Sequence, residues 1–307
     1  MDEQTRLFLD KVNSNNAPPI ETMSIEDARQ YVKQSVVTSP IQLASIFNIK
    51  IPGPQTQIPL RIYIPKGKGP FPVFVTIHGG GWVLSSLDSH DPFCRSIADQ
   101  AQIIVVSIDY RLAPEHKYPA GLNDCCIAVD WVTAHIQEWD GNPSKLAIGG
   151  ISAGANLAAA VTLKAKEKKE PIFQAQVLVC PAVKHGFDTL SCQKYAEGYF
   201  LTKKQLEWFW NLYLDKTENG LEPYASPLVA EDATALPSAL IVLAEFDPLH
   251  DEGIAYGEKL KAAGVPVIVQ DFPTIHMFIN KDHELDIGKR AISNIAQFLR
   301  NLLHENP

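Results

Sequence analysis

Six short, continuous, largely β-branched runs alternate with longer segments of helical period. That alternation narrows the fold more than any other feature of the chain. The runs are residues 73–77, 103–108, 146–148, 175–179, 240–243 and 267–269. A run that is apolar at every position suits a strand buried on both faces, as in a largely parallel sheet. Residues 93–100, 122–136, 153–169, 253–263 and 286–303 read as helices. Two earlier strands, residues 43–51 and 60–64, are joined by the turn Pro52-Gly53-Pro54. Repeated strand–helix units imply right-handed crossovers, an α/β sandwich, and functional groups at the carboxyl ends of the strands.

Two segments break the alternation. Residues 1–40 hold two polar amphipathic helices, at 3–12 and 25–36. Residues 185–225 contain the aromatic stretch 201–214, opened by the cap Thr202. Long insertions at strand ends usually serve a site. The expected organisation is therefore a single domain over 1–307. Its core would be 41–184 and 226–307, with a helical cap or lid formed by about 1–40 and 185–225. A loosely attached arm and an ordinary core helix are the plainer alternatives.

Gly150-Ile151-Ser152-Ala153-Gly154 sits where an apolar run, residues 145–149, meets the helix-forming run 156–164. A G-x-S-x-G pattern is weak alone. Between a strand and a helix it describes a tight turn that holds the serine hydroxyl at the top of the sheet. Side chains at Gly150 or Gly154 would collide with neighbouring backbone. The helix N-terminus also favours negative charge developing near Ser152.

A serine hydroxyl needs a base, and the base needs an orienting group. For a serine at such a turn the chain order is Ser, acid, His. Asp247 follows the run 240–243 and precedes Pro248, in a loop at the correct edge. His276 lies just past the carboxyl end of the next strand, one crossover unit later. Glu245 and Asp251 compete for the acid role. His250, His283 and His304 compete for the base, although each falls on or near a helix. The run 73–77 ends in His78-Gly79-Gly80-Gly81-Trp82. Glycines let backbone N–H groups turn toward a reacting carbonyl. Gly80, Gly81 and Ala153 would form a three-donor oxyanion hole.

The bulk composition removes other classes. A net charge of −8 over 307 residues argues against general nucleic-acid binding. Five cysteines, two of them adjacent at Cys125 and Cys126, suit neither a disulfide framework nor a zinc site. The first residues lack the order of a signal peptide, and no apolar stretch approaches the ~20 residues of a membrane span. A cytoplasmic setting is expected.

Taken together, His78-Gly79-Gly80-Gly81, Tyr110 to Glu115, the Ser152 pentapeptide, Asp247-Pro248-Leu249 with Asp251-Glu252, and His276 resemble the hormone-sensitive-lipase-like carboxylesterases of the α/β-hydrolase fold. The resemblance runs from about residue 40 to the C-terminus, and the N-terminal region resembles that family's cap. It implies a mostly parallel eight-stranded sheet flanked by helices. By this resemblance Ser152 is the nucleophile, His276 the general acid/base and Asp247 the orienting acid. His78 would brace the glycine loop, while Asp109, Arg111 and Glu115 would hold the scaffold. It implies no metal and no cofactor, a small-molecule ester as partner, short-to-medium acyl chains, and leaves a homodimer within expectation. Two residues depart from the family pattern: Ile151 stands where Asp, Glu or Thr is usual, and Ala155-Asn156 replaces Gly-Asn. The expected reaction is ester hydrolysis through an acyl-enzyme. Trp82, Trp208, Phe209 and Trp210 are candidates for an apolar pocket. An amidase or acyltransferase with the same triad is one alternative, and a non-catalytic ligand-binding relative is another.

Overall fold

One eight-stranded sheet carries the chain, in the order β1-β2-β4-β3-β5-β6-β7-β8. Its strands are β1 (Ser45–Ile51), β2 (Ile58–Ile64), β3 (Phe71–Ile77), β4 (Ile104–Ile108), β5 (Gly141–Ile151), β6 (Phe173–Val179), β7 (Ser238–Phe246) and β8 (Val267–Ile275). The structure is a computed structural model and describes residues 1–15, 17–169 and 172–304. β2 pairs antiparallel with β1 and with β4. The pairings β3–β4, β3–β5, β5–β6, β6–β7 and β7–β8 are parallel.

Nine helices are defined among the described residues: α1 (Glu3–Asn13), α2 (Ile25–Gln34), α3 (Leu87–Ala101), α4 (Ala120–His135), α5 (Ala153–Glu167), α6 (Leu190–Lys194), α7 (Lys203–Tyr213), α8 (His250–Ala262) and α9 (Asp286–His304). The strand period of two divides each central strand between two cores. Val73, Val75 and Ile77 of β3 pack with α4, α5 and α8, whereas Phe74 packs with α3 and α9. β3 and β4 are buried at every position, which is why they read as apolar runs broken only by Thr76 and Ser107.

All eight expected strands are present, and their lengths differ where glycine or polar residues hide the pattern. β5, expected within 145–149, runs from Gly141 to Ile151, because Gly149 and Gly150 pair with both neighbouring strands. β8, expected to end by Gln270, continues to Ile275, so it delivers His276 directly. α3 begins at Leu87, not after Pro92, because Ser86 N–H is capped by Ser89 Oγ at 3.0 Å. α8 begins at His250, three residues before the expected start.

Polar contacts tie the two interrupting segments to the strand ends. The insertion leaves and returns beside α5. Asn156 Nδ2 donates to Ala182 O and Ala225 O, both at 2.7 Å, and Leu228 N–H donates to Val183 O at 3.0 Å. Glu252 Oε1 accepts Val183 N–H at 2.8 Å; burial pushes this carboxyl well up, toward its neutral form. α1 is tied to β8 by Asp2 N–H donating to Pro273 O at 3.0 Å and by the Thr5–Thr274 hydroxyl pair at 2.9 Å. Arg29 of α2 donates to Val83 O and Ala113 O at 2.9 Å each and forks onto Glu115. α7 is capped by Thr202, as expected, and Gln205 returns the bond to the Thr202 N–H.

Candidate active site

The carboxyl ends of β3, β5, β7 and β8 bring Gly80, Ser152, Asp247 and His276 to one place. Ser152 sits between β5 and α5 with φ 57° and ψ −119°, a strained conformation for a residue with a side chain. Its N–H donates to Val179 O at 2.8 Å, and its carbonyl accepts Asn156 N–H at 3.1 Å. The tightness is visible at the flanking glycines. A Cβ on Gly154 would lie 2.1 Å from Ile77 O, and one on Gly150 would lie 2.4 Å from the Gly154 carbonyl. Ile151 points away from the site and is fully buried in the core that contains Val179 and Ile275. Its apolar side chain is thus a packing residue, and the departure from the family pattern falls on the side of the strand opposite the serine.

His276 Nε2 lies 3.1 Å from Ser152 Oγ, and His276 Nδ1 lies 2.6 Å from Asp247 Oδ2. The serine hydroxyl can donate only if Nε2 is bare. The proton then sits on Nδ1 and is donated to the carboxylate. Asp247 Oδ1 accepts Leu249 N–H at 2.9 Å, which fixes the carboxylate plane. Ser152, Asp247 and His276 are all buried, at 8%, 1% and 3% exposure, so their mutual attraction is little screened by water.

In a trans peptide the carbonyl and the following N–H point opposite ways. His78 Nδ1 holds Gly79 O at 2.8 Å, which turns Gly80 N–H the other way. Gly80 O accepts Val83 N–H at 3.1 Å and Leu84 N–H at 2.8 Å, which does the same for Gly81 N–H. Gly80 and Gly81 have φ of 98° and 61°, open to glycine and strained for other residues. The N–H groups of Gly80, Gly81 and Ala153 have no acceptor among the described residues, and all three residues line the cavity that contains Ser152 and His276. Gly79 lies against Ile151 O, where a Cβ would come within 2.8 Å. His78 stacks on Tyr110 at 4.5 Å, and its Nε2 faces Asp109 Oδ1 at 3.7 Å.

The cavity has a volume of about 720 Å³, within the range of small-molecule sites. Phe8, Ile20 and Val32 of the N-terminal segment and Leu201, Leu206 and Phe209 of the insertion line it together. Of the four aromatic pocket candidates, Trp82 and Phe209 border the cavity. Trp210 is instead buried against Trp82, with ring centroids 4.5 Å apart, and Trp208 packs against Phe209. Phe209 also explains Gly81, since a Cβ there would lie 2.1 Å from its ring.

The competing residues are engaged elsewhere. Glu245 is exposed on β7. Asp251 accepts Ser191 N–H at 2.8 Å. His304 Nε2 lies 3.0 Å from Ala101 O, and His283 pairs with Glu284 at 3.4 Å. His250 stands between Asp271 at 3.0 Å and Asp251 at 3.2 Å; the Asp271 carboxylate leads in pushing it up to about 9. Its folded pKa exceeds the unfolded value of ~6.5, so its stabilisation is complete below ~6.5 and is lost as pH rises through about 9. After discounting for solvent screening of this partly exposed ring, about 1 kcal/mol is expected, or ~2 °C in Tm. Melting curves from pH 6 to 10 should therefore converge for wild type and His250→Gln at the alkaline end. Curves that stay parallel throughout would exclude this linkage.

Cys180 was not anticipated. It follows β6, is buried, and lies with Asp247 and His276 so that their ligand atoms fall within 4.8 Å of one another. Burial and then the Asp247 carboxylate push its thiol well up, so it stands against the acid as a neutral group. The trio is a poor metal cradle as arranged: Asp247 and His276 are 2.6 Å apart, closer than the ~3.3 Å that two ligands of a tetrahedral zinc would take.

Known proteins resemble this chain over most of its length. Residues 74–280 match a family model described as the alpha/beta hydrolase fold. Carboxylic ester hydrolase LipN of Mycobacterium tuberculosis is 41% identical over 242 residues; the match takes in 76% of this chain and 64% of that protein's own length. Carboxylesterase NlhH of the same organism is 40% identical, with 81% of this chain and 80% of that protein covered. The crystal structure of a hyperthermophilic esterase from the archaeon Pyrobaculum calidifontis superposes with a TM-score of 0.94 at 35% identity, covering 98% of both chains. No helix among the described residues is long and apolar enough to cross a membrane. With most of its length matched by the family model, the chain belongs to the α/β-hydrolase-fold family, in its hormone-sensitive-lipase-like branch.

Proposed function

We propose that this protein is a serine carboxylesterase that hydrolyses small esters of short-to-medium acyl chains, with Ser152, His276 and Asp247 as its triad. The observation that carries the reading is the continuous link Ser152 Oγ–His276 Nε2 and His276 Nδ1–Asp247, opening onto a cavity with three unpaired N–H donors. His276 takes the Ser152 proton as Oγ attacks the ester carbonyl. Gly80, Gly81 and Ala153 N–H groups hold the oxyanion, each such donor being worth roughly 10²–10³ in rate. His276 returns the proton to the departing alcohol, and water then releases the acid by the reverse roles. His78, Gly79, Gly150 and Gly154 support this arrangement by fixing the backbone.

We read residues 1–40 and 185–225 as a cap over the core 41–184 and 226–307, since both contribute to the cavity wall. Five free cysteines agree with a reducing, cytoplasmic setting. The β8 edge, with Ile268 half exposed, offers a place for a second copy; light scattering on the purified protein tests the homodimer.

A series of 4-nitrophenyl esters from acetate to dodecanoate tests the function. The expected kcat/KM is highest for the shorter members and falls once the chain outgrows the cavity. Absence of turnover on every member would end the esterase reading, and a maximum at dodecanoate would end the chain-length part alone.

A further inference from the structure

We propose that Lys281 determines specificity by receiving the anionic end of an ester substrate that carries a carboxylate distant from its ester bond. The inference rests on the esterase reading of the site. Lys281 ends the short 3₁₀ turn Phe278–Lys281, which begins two residues after His276, and it lines the cavity that holds Ser152. At about 2 Å per residue in such a turn, Lys281 stands on the order of 10 Å along the wall from His276.

The ammonium group is left without a partner. Among the described residues, Lys281 Nζ makes no hydrogen bond and no ion pair, and only the backbone carbonyl is engaged, by Glu284 N–H at 2.9 Å and Leu285 N–H at 2.7 Å. Four polar neighbours share that part of the wall: Lys11, Asp282, Glu284 and the imidazole of His283. Glu284 is the natural counter-ion, but it is held by Lys11 at 3.1 Å and by His283 at 3.4 Å. The Asp282 carboxyl is pushed up by its own burial and makes no ion pair among the described residues. Burial also pushes the Lys281 ammonium down from its usual range. A partly desolvated cation facing a mainly apolar cavity gains more from an incoming anion than an exposed lysine does. Elsewhere the wall is mainly apolar, with Leu206 and Phe209, and Ser85, Gln205 and Asn280 supply polar groups. The cavity thus fits a substrate with an ester at one end, an apolar spacer, and a carboxylate at the other.

The carboxylate could belong to the acyl part or the alcohol part, and two pairs of probes separate these. Mono-4-nitrophenyl adipate against 4-nitrophenyl hexanoate tests the acyl side. 4-Acetoxybutanoate against pentyl acetate, followed by pH-stat, tests the alcohol side. In Lys281→Met the charged-to-neutral ratio of kcat/KM is expected to fall about tenfold in one arm, chiefly through KM, as for loss of one partly screened charge pair. Neutral-ester turnover should stay within about twofold, and Lys281→Arg should keep most of the preference. Ratios within twofold of wild type in both arms overturn the inference. Turnover of the neutral esters in every variant shows that such a failure belongs to Lys281 and not to the esterase reading.

Discussion

Ser152→Ala is expected to lower kcat by roughly 10⁴–10⁶-fold on any ester that the wild-type protein hydrolyses, with little change in KM. The variant removes Oγ, so no covalent acyl-enzyme can form, while the cavity and the three N–H donors remain. It should also remain folded. Ser152 is small, its backbone bonds to Val179 and Asn156 do not involve the side chain, and alanine tolerates the turn no worse than serine. His276→Ala should cost a similar factor, because the hydroxyl 3.1 Å from Nε2 then has no base. The double variant should be scarcely slower than either single one, since the two groups act as a unit. Steady-state and burst measurements of 4-nitrophenol release check this. Additive losses, or a Ser152→Ala protein that retains more than a few per cent of turnover, would mean that another nucleophile is at work.

The sequence was most legible where local chemistry and tertiary demand agree. The fully buried strands β3 and β4 are apolar at every position but Thr76 and Ser107 because both faces are covered, so composition alone marks them. The elbow is legible for a similar reason: backbone atoms of Ile77 and His78 crowd Gly154 so closely that only glycine serves. Triad members could be chosen by strand-end position, since a parallel sheet collects those ends on one edge. Legibility fails where partners are distant in sequence and of ordinary type. Nothing local in Asn156 says that it fastens both ends of a segment reaching from residue 182 to residue 225. Nothing around Cys180 says that β6 ends beside Asp247, because the contact exists only after β6 and β7 pair. The aromatic run 208–210 shows the same limit. Phe209 reaches the cavity while its neighbours Trp208 and Trp210 do not, a choice set by how α7 rests on the glycine loop.

Asp247→Asn should lower kcat by roughly 10³–10⁴-fold while leaving KM and the melting temperature close to wild type. The substitution is nearly isosteric, and a side-chain oxygen at the Oδ1 position can still accept Leu249 N–H. What it changes is the group opposite His276 Nδ1, now 2.6 Å from a carboxylate oxygen. An amide NH₂ in that place cannot accept from Nδ1–H, so it favours the tautomer with the proton on Nε2. That tautomer cannot take the serine proton. If the amide is flipped to present its oxygen, the tautomer survives, but the charge that stabilises the imidazolium in the transition state is gone. Neither substitute acid can step in. Glu245 is exposed on β7, and Asp251 is held by Ser191 N–H and by His250. A kcat within tenfold of wild type would move the orienting role away from Asp247, and Asp251→Asn and Glu245→Gln would then identify its holder. A large loss accompanied by a fall of several degrees in Tm would point instead to the Asp247 loop as a structural support. Its carboxylate sits against the neutral thiol of Cys180 and anchors the start of α8, so the melting measurement is what separates the two roles.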